Sequence, residues 1–185
     1  LWQLLKQRAM LIKTRTQLTL SMQGDADFQS VSQGIVNELN QAIKNIEQWM
    51  FALAKAQHWE SDIQHCRSVP GIGPINALAL VICFHRGTFQ RADQFIAYLG
   101  LDVRVRDSGR MRGKRKLTKR GEPEIRRLLY MAAWSFARNP KFRSLYEQMR
   151  SRGLSSTAAN TAMARKLARI AFALIKKEEN FMLEA

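Results

Sequence analysis

Apolar residues fall on helical stripes along almost the whole chain. From Leu1 to about Leu20, Leu4, Leu5, Leu11, Ile12 and Leu18 recur at a seven-residue spacing, which places them on one side of a helix. Gly24 and Asp25 interrupt that pattern. It resumes in steps of three and four as Phe28, Val31, Ile35, Leu39, Ile43, Ile46, Met50 and Leu53, so the first part of the chain predicts two helices packed as an antiparallel hairpin or coiled coil. Such a pair reads either as an arm for self-association or as an ordinary helix pair within one chain.

The stretch Ser68-Val69-Pro70-Gly71-Ile72-Gly73-Pro74 comes next, followed by the apolar helix pattern Ala77, Leu78, Leu80, Val81 and Ile82. Together they have the form of a helix-hairpin-helix over about 62–85. Gly71 and Gly73 permit the tight turn, Pro74 suits the first turn of a helix, and the backbone N–H groups there can hold a phosphate oxygen without reading sequence. A plain turn between two helices is the alternative. A short helix is expected over Ala92 to Leu99, with Phe95, Ile96 and Leu99 inward and Gly100 ending it.

The final part is helical again. Ile125, Leu128, Leu129, Ala132, Ala133 and Phe136 share one face up to Asn139-Pro140. Phe142, Leu145, Tyr146 and Met149 follow, with Gly153 as a stop, and a last helix from about Ser156 turns Ala159, Met163, Leu167, Ile170 and Leu174 inward. No sustained period-two alternation appears, so the fold class is all-α, with at most a small hairpin in the segment between these parts. The expected organisation is a helical arm over 1–57, a compact helical domain over 58–178 and a tail over 179–185.

Charge adds a partner to this scaffold. Thirty Lys and Arg stand against fifteen Asp and Glu, for a formal charge of +15 and a sequence pI near 10.6, the footprint of a polyanion-binding protein. The excess is concentrated: residues 104–127 hold eleven Lys or Arg and three acids, a net of +8. Arg104, Arg106, Arg110, Arg112, Lys114, Arg115, Lys116, Lys119 and Arg120 lie in a serine-containing loop, 102–121, that is poor in apolar residues and carries Gly109, Gly113 and Gly121. Like charges at that density repel one another unless phosphates neutralise them, so these residues, with Gly71 and Gly73, are the candidate nucleic-acid contacts. A membrane partner is not expected, since no apolar run approaches the roughly 18–20 residues of a spanning helix. The expected location is cytoplasmic, at the bacterial nucleoid. The chain begins with Leu1 inside a helical pattern, which suggests a piece of a longer protein.

Most catalytic constellations are missing. Cys66 and Cys83 lack a zinc or disulfide spacing and read as small buried residues. His58, His65 and His85 stand in no triad order, no P-loop, HExxH or calcium loop is present, and the acids do not pair as a two-metal set, so no metal site and no cofactor is expected in this chain. What remains is Ser108, between Asp107 and Gly109 in the most cationic stretch. A hydroxyl there suits attack on a phosphodiester, with guanidinium groups stabilising the charge that develops. A loop residue with no chemistry is the other reading.

The order Val69-Pro-Gly-Ile-Gly-Pro, Phe95, Tyr98-Leu-Gly-Leu101, Asp107-Ser-Gly109, Leu117-Thr-Lys-Arg-Gly-Glu-Pro123, Ile125-Arg-Arg-Leu-Leu-Tyr-Met-Ala-Ala133, Pro140, Tyr146 and Ala164-Arg-Lys-Leu167 resembles the C-terminal domain of the DEDD insertion-sequence transposases, the recombinases that work with a bridge RNA. The resemblance covers about 65–175, and 1–55 is similar to the coiled coil that precedes that domain. Asp102-Val103 and Asp107 depart from residues often seen in the family. The resemblance implies that Ser108 is the nucleophilic serine, that DNA and a guide RNA are partners, that the arm joins copies into a dimer or tetramer, and that magnesium belongs to a RuvC-like N-terminal domain not contained in this chain. It also implies that the fragment by itself does not recombine DNA. Two other readings are a non-catalytic nucleic-acid-binding module and a DNA-repair glycosylase in which Asp93, downstream of the hairpin, would be the key acid. Asp93 is expected instead to open a helix, where a carboxylate favours the N-terminal dipole.

Overall fold

The computed structural model describes residues 1–23, 26–104 and 116–182, with the backbone alone for Arg104 and Lys116. The chain divides into two compact units, Leu1–Trp59 and Glu60–Ala185. The fold is all-α: among the described residues there are eight helices and one short two-stranded ladder, the small hairpin that the sequence allowed.

The first unit is α1 (Trp2–Ser21) and α2 (Ala26–Ala56). They run antiparallel: Arg8 Nε donates to Glu47 Oε1 at 2.7 Å and Arg15 Nη1 to Asn40 Oδ1 at 2.9 Å, so moving up one helix is moving down the other. Leu5, Met22, Val36, Ile43, Met50 and Ala54 are buried between them. The apolar stripe of α2 follows its spacing at Ile43 and Met50 but departs from it in the first half of the helix. There Ser32 and Val36 face inward, while Phe28, Val31 and Ile35 are 40%, 76% and 55% exposed. One residue of rotation separates the two rows.

The second unit is built on α4 (Pro74–His85), every residue of which from Ala77 to Cys83 is buried. A helix apolar all round belongs in the middle of a core. Around it lie α3 (Glu60–Arg67), α5 (Ala92–Tyr98), α6 (Pro123–Arg138), α7 (Pro140–Ser151) and α8 (Ser156–Lys177). Local chemistry sets their ends. Asn139 Oδ1 accepts from the Lys141 amide at 3.0 Å and Ser155 Oγ from Ala158 at 3.2 Å, so α7 and α8 begin with capped N-termini. Gln94 reaches back to the Gln90 and Arg91 amides at the start of α5.

The inner faces of α6 and α8 agree with the sequence except at Ile170, which is only half-buried; the predicted inward residues of α7 are half-buried as well. Phe84, Phe89, Phe95, Tyr98 and Phe172 form one aromatic cluster joining α4, α5 and α8, with ring centroids 5.2–6.2 Å apart. Asn160 Nδ2 ties α8 to α6 through the Tyr130 carbonyl at 3.0 Å. The tail returns to the beginning of the unit: the Phe181 amide donates to Ser68 Oγ at 2.7 Å, and its ring lies 6.1 Å from Phe142.

Candidate nucleic-acid interface

Val103–Arg104 (β1) and Lys116–Leu117 (β2) pair antiparallel, Val103 opposite Leu117 and Arg104 opposite Lys116. The ladder is short, and two further bonds lock its base: the Thr118 amide donates to the Asp102 carbonyl at 3.0 Å, and Thr118 Oγ1 donates to the Asp102 carboxylate. Both ends of the basic segment are thereby held side by side.

Directly behind the ladder, two turns meet without side chains between them. Gly100 has φ +72°, and a Cβ there would come within 2.5 Å of the Gly121 nitrogen; a Cβ on Gly121 would come within 2.5 Å of the Leu99 carbonyl carbon. Only glycine fits both positions. Arg126 Nη1 donates to the Gly121 carbonyl, fastening the turn to α6. Lys119 takes a left-handed conformation, φ +55°, and Lys119 and Arg120 are exposed at this turn.

The segment from Glu60 to His85 is α3, a turn through Val69–Gly73 and α4, with Gly73 extended as the residue before Pro74. Asp62 Oδ2 and His85 Nε2 clasp the two helices at 2.7 Å. Gly71 has φ +87° and lies against the backbone of α6, where a Cβ would meet Ala132 O and Phe136 N at 2.8 Å each. Nothing lies within 4 Å of a Cβ on Gly73. Packing therefore demands the first glycine, and the second stands in open space.

Of the sequence-predicted site residues, the structure places Gly71 and Gly73 on the α3–α4 turn, the backbones of Arg104 and Lys116 in the ladder, and Lys119 and Arg120 at its foot. Ser108, Arg106, Arg110, Arg112, Lys114 and Arg115 lie outside the described residues. Asp93 is in the first turn of α5, as its context predicts, and pairs with Arg169 Nη2 of α8. Cys66 and Cys83 are buried free thiols, each pushed up to about 12 mainly by removal from water. Two features do not emerge from sequence reasoning: Arg126, the anchor of the Gly121 turn, and the outer face of α6, where Met131 and Trp134 are exposed and the Arg138 guanidinium lies 3.6 Å from the Trp134 ring centroid. The motif Gly-Glu-Pro-Glu-Ile-Arg-Arg contains the signal for the first; the second is visible as the polar side of a helix that carries a tryptophan.

Residues 63–147 match the family model described as Transposase IS116/IS110/IS902 family. They are a transposase domain of that family. The chain is 28% identical over 152 residues to a pilin gene-inverting protein of Moraxella bovis, a match covering 74% of this chain and 47% of that protein. It is 30% identical over 151 residues to the transposase for insertion sequence element IS1111A of Coxiella burnetii, covering 77% and 40%, and 29% identical over 153 residues to a probable family 20 transposase of Pseudomonas aeruginosa, covering 78% and 45%. The chain spans less than half the length of each of these relatives. The matched transposase domain contains the Gly71 turn, the Gly100–Gly121 contact, the ladder and α6. Its core is completed by α8, beyond the match, through Ala159, Met163, Leu167 and Ala171, all fully buried.

Proposed function

We propose that this chain is the DNA-handling, serine-bearing part of a transposase that exchanges DNA strands under the direction of a guide RNA. The observation that carries the reading is the closed base of the basic segment. Eleven residues, 105–115, enter and leave through two paired positions, fixed by Thr118 on Asp102 and by the Gly100–Gly121 contact. That segment holds Ser108 with Arg106, Arg110, Arg112, Lys114 and Arg115. Paired ends beneath a cationic segment suit a nucleophile, because a segment delivered from a defined point costs less ordering when it meets its substrate.

In the proposed step Ser108 Oγ attacks a DNA phosphorus. The Oγ–P bond forms as a P–O bond to the departing sugar breaks; the serine proton leaves to solvent, and the released sugar oxygen takes one up. The phosphoester conserves the bond for rejoining, and guanidinium groups of the same segment of sequence would offset the charge on the phosphoryl oxygens. Lys119, Arg120, Gly71 and Gly73 would hold backbone phosphates of DNA or guide RNA. Among the described residues no three His, Cys, Asp or Glu side chains come together as a ligand set, and none of these steps is routed through a metal. Among the described residues, too, no helix is long and apolar enough to cross a membrane.

The reading includes a second copy of the chain on the arm. Val31 and Ile35 on α2, 76% and 55% exposed, are apolar, four residues apart and so on one helix face.

The test is a covalent trap. Full-length protein with its guide RNA and magnesium is offered labelled element-end DNA, and a denaturation-resistant protein–DNA adduct is sought in wild type and in Ser108→Ala. Loss of the adduct in the variant alone supports the assignment. Equal adducts, or binding with no adduct in either, would leave a non-catalytic nucleic-acid-binding module.

A further inference from the structure

Helix α6 has two faces of opposite character. Ile125, Leu128, Leu129, Ala132, Ala133 and Phe136 are buried against the rest of the unit. Arg127, Met131, Trp134 and Arg138 follow one another at steps of four, three and four, which at 100° per residue places them on a single stripe roughly 60° wide. Met131 is 49% exposed and Trp134 47%. Tryptophan contributes most when its large ring leaves water, so a tryptophan held on the outside of a core helix beside an exposed methionine marks a face with a partner.

Charge decides what kind of partner. The only acid in α6 is Glu124, which is buried and held by Arg127 through Nε at 2.7 Å and Nη2 at 2.8 Å. The outer stripe therefore presents no exposed carboxylate, while Arg138 lies on the indole and Lys141 follows in the first turn of α7. At its other end the helix starts two residues after Gly121, next to Lys119 and Arg120. A protein face would have to match an aromatic patch bounded by cations at both ends. An unpaired nucleotide strand matches it with its own two chemistries, a flat base and an anionic backbone.

We propose that Trp134 is a stacking platform for an unpaired base of a nucleic-acid strand, the base taking the ring face opposite the one that the Arg138 guanidinium covers, with Arg138 placed to meet the adjoining phosphate. Arg138 fixes the indole orientation before the strand arrives, so little ordering is left to do on binding. Paired bases in a duplex keep their faces covered by their neighbours and cannot use the platform. The inference rests on the nucleic-acid reading above but not on Ser108, and it singles out single-stranded segments, which strand exchange and a folded RNA both expose.

The experiment measures affinity of the 185-residue chain for a short labelled single-stranded DNA and for the same sequence as a duplex, at one salt concentration. Trp134→Ala and Trp134→Leu should each weaken single-strand binding roughly ten-fold and duplex binding less than about two-fold, and Trp134→Phe should restore most of the loss. The leucine variant keeps apolar bulk on the helix, so a loss it shares with alanine is a loss of the ring. Equal loss on both DNAs, no loss, or no rescue by phenylalanine overturns the proposal. If single-strand affinity is unchanged but Trp134→Ala lowers the sedimenting mass, the stripe is instead a contact between copies of the chain. Should the wild type bind neither DNA, the nucleic-acid reading itself falls; should it bind both and Trp134 prove indifferent, only the platform does.

Discussion

Gly71 and Phe136 meet backbone to backbone: a Cβ on the glycine would lie 2.8 Å from the Phe136 amide nitrogen. The turn between α3 and α4 is thus seated on α6, and a glycine that looks like a phosphate-loop residue in the sequence is also a packing residue. Gly71→Ala combines a left-handed conformation with a clash against backbone that cannot swing aside, and should cost about 2–4 kcal/mol. Gly73→Ala, extended and open, should cost less than about 1 kcal/mol, chiefly as a weaker helix cap. Urea unfolding of the two variants checks the contrast; similar losses would refute it.

In the arm, Arg8 is 10% and Glu47 30% exposed at the side chain, joined at 2.7 Å. Glu47→Ala takes the carboxylate from a guanidinium that is largely out of water, and should destabilise the first unit by about 1–3 kcal/mol. Glu47→Gln keeps an acceptor and should lose less. Helical circular dichroism during denaturant unfolding reads both.

The thiols make a pH prediction. Burial raises Cys66 and Cys83 from an ordinary 9.0 to about 12, so the folded state holds the neutral form and the unfolded state ionises first. Their stabilising contribution is complete below pH 9 and is lost as pH rises toward 12, so stability should fall across that window. Native thiols should also react with iodoacetamide much more slowly than unfolded ones at pH 8, because burial holds them in the neutral form. Rapid labelling of folded protein at pH 8 would contradict the burial.

At the foot of the ladder, Lys119→Gln and Arg120→Gln should weaken binding to DNA of any sequence and flatten its salt dependence. Every phosphate that the protein no longer neutralises takes about 0.9 off the slope of log K against log salt. An unchanged slope for the double variant would place both side chains away from the phosphates.

The two ends of α2 show where sequence reading succeeds and where it stops. Ile43 and Met50 are inward as predicted, yet Val31 and Ile35 point out while Ser32, 2% exposed, faces α1. Periodicity identifies a helix with more apolar residues than one face can use; the partner helix decides which row is covered. On α6 one row alone is apolar enough, and its spacing names the buried face from Ile125 to Phe136. The Gly100–Gly121 contact joins residues twenty-one positions apart, so its two motifs are recognisable singly while the reason for them is not. A stripe such as Arg127, Met131, Trp134 and Arg138 escapes an inspection that searches for inward faces.

Because the ladder closes on itself at Arg104 and Lys116, the scaffold registers the intervening chain only as two adjacent ends. Doubling the length of such a loop adds only about 0.6 kcal/mol of closure entropy. The chain between Arg104 and Lys116 can therefore be lengthened, shortened or exchanged for another sequence while the helices stay as they are. Diversification of this protein is expected to concentrate between those two residues, with the glycines behind them held fixed.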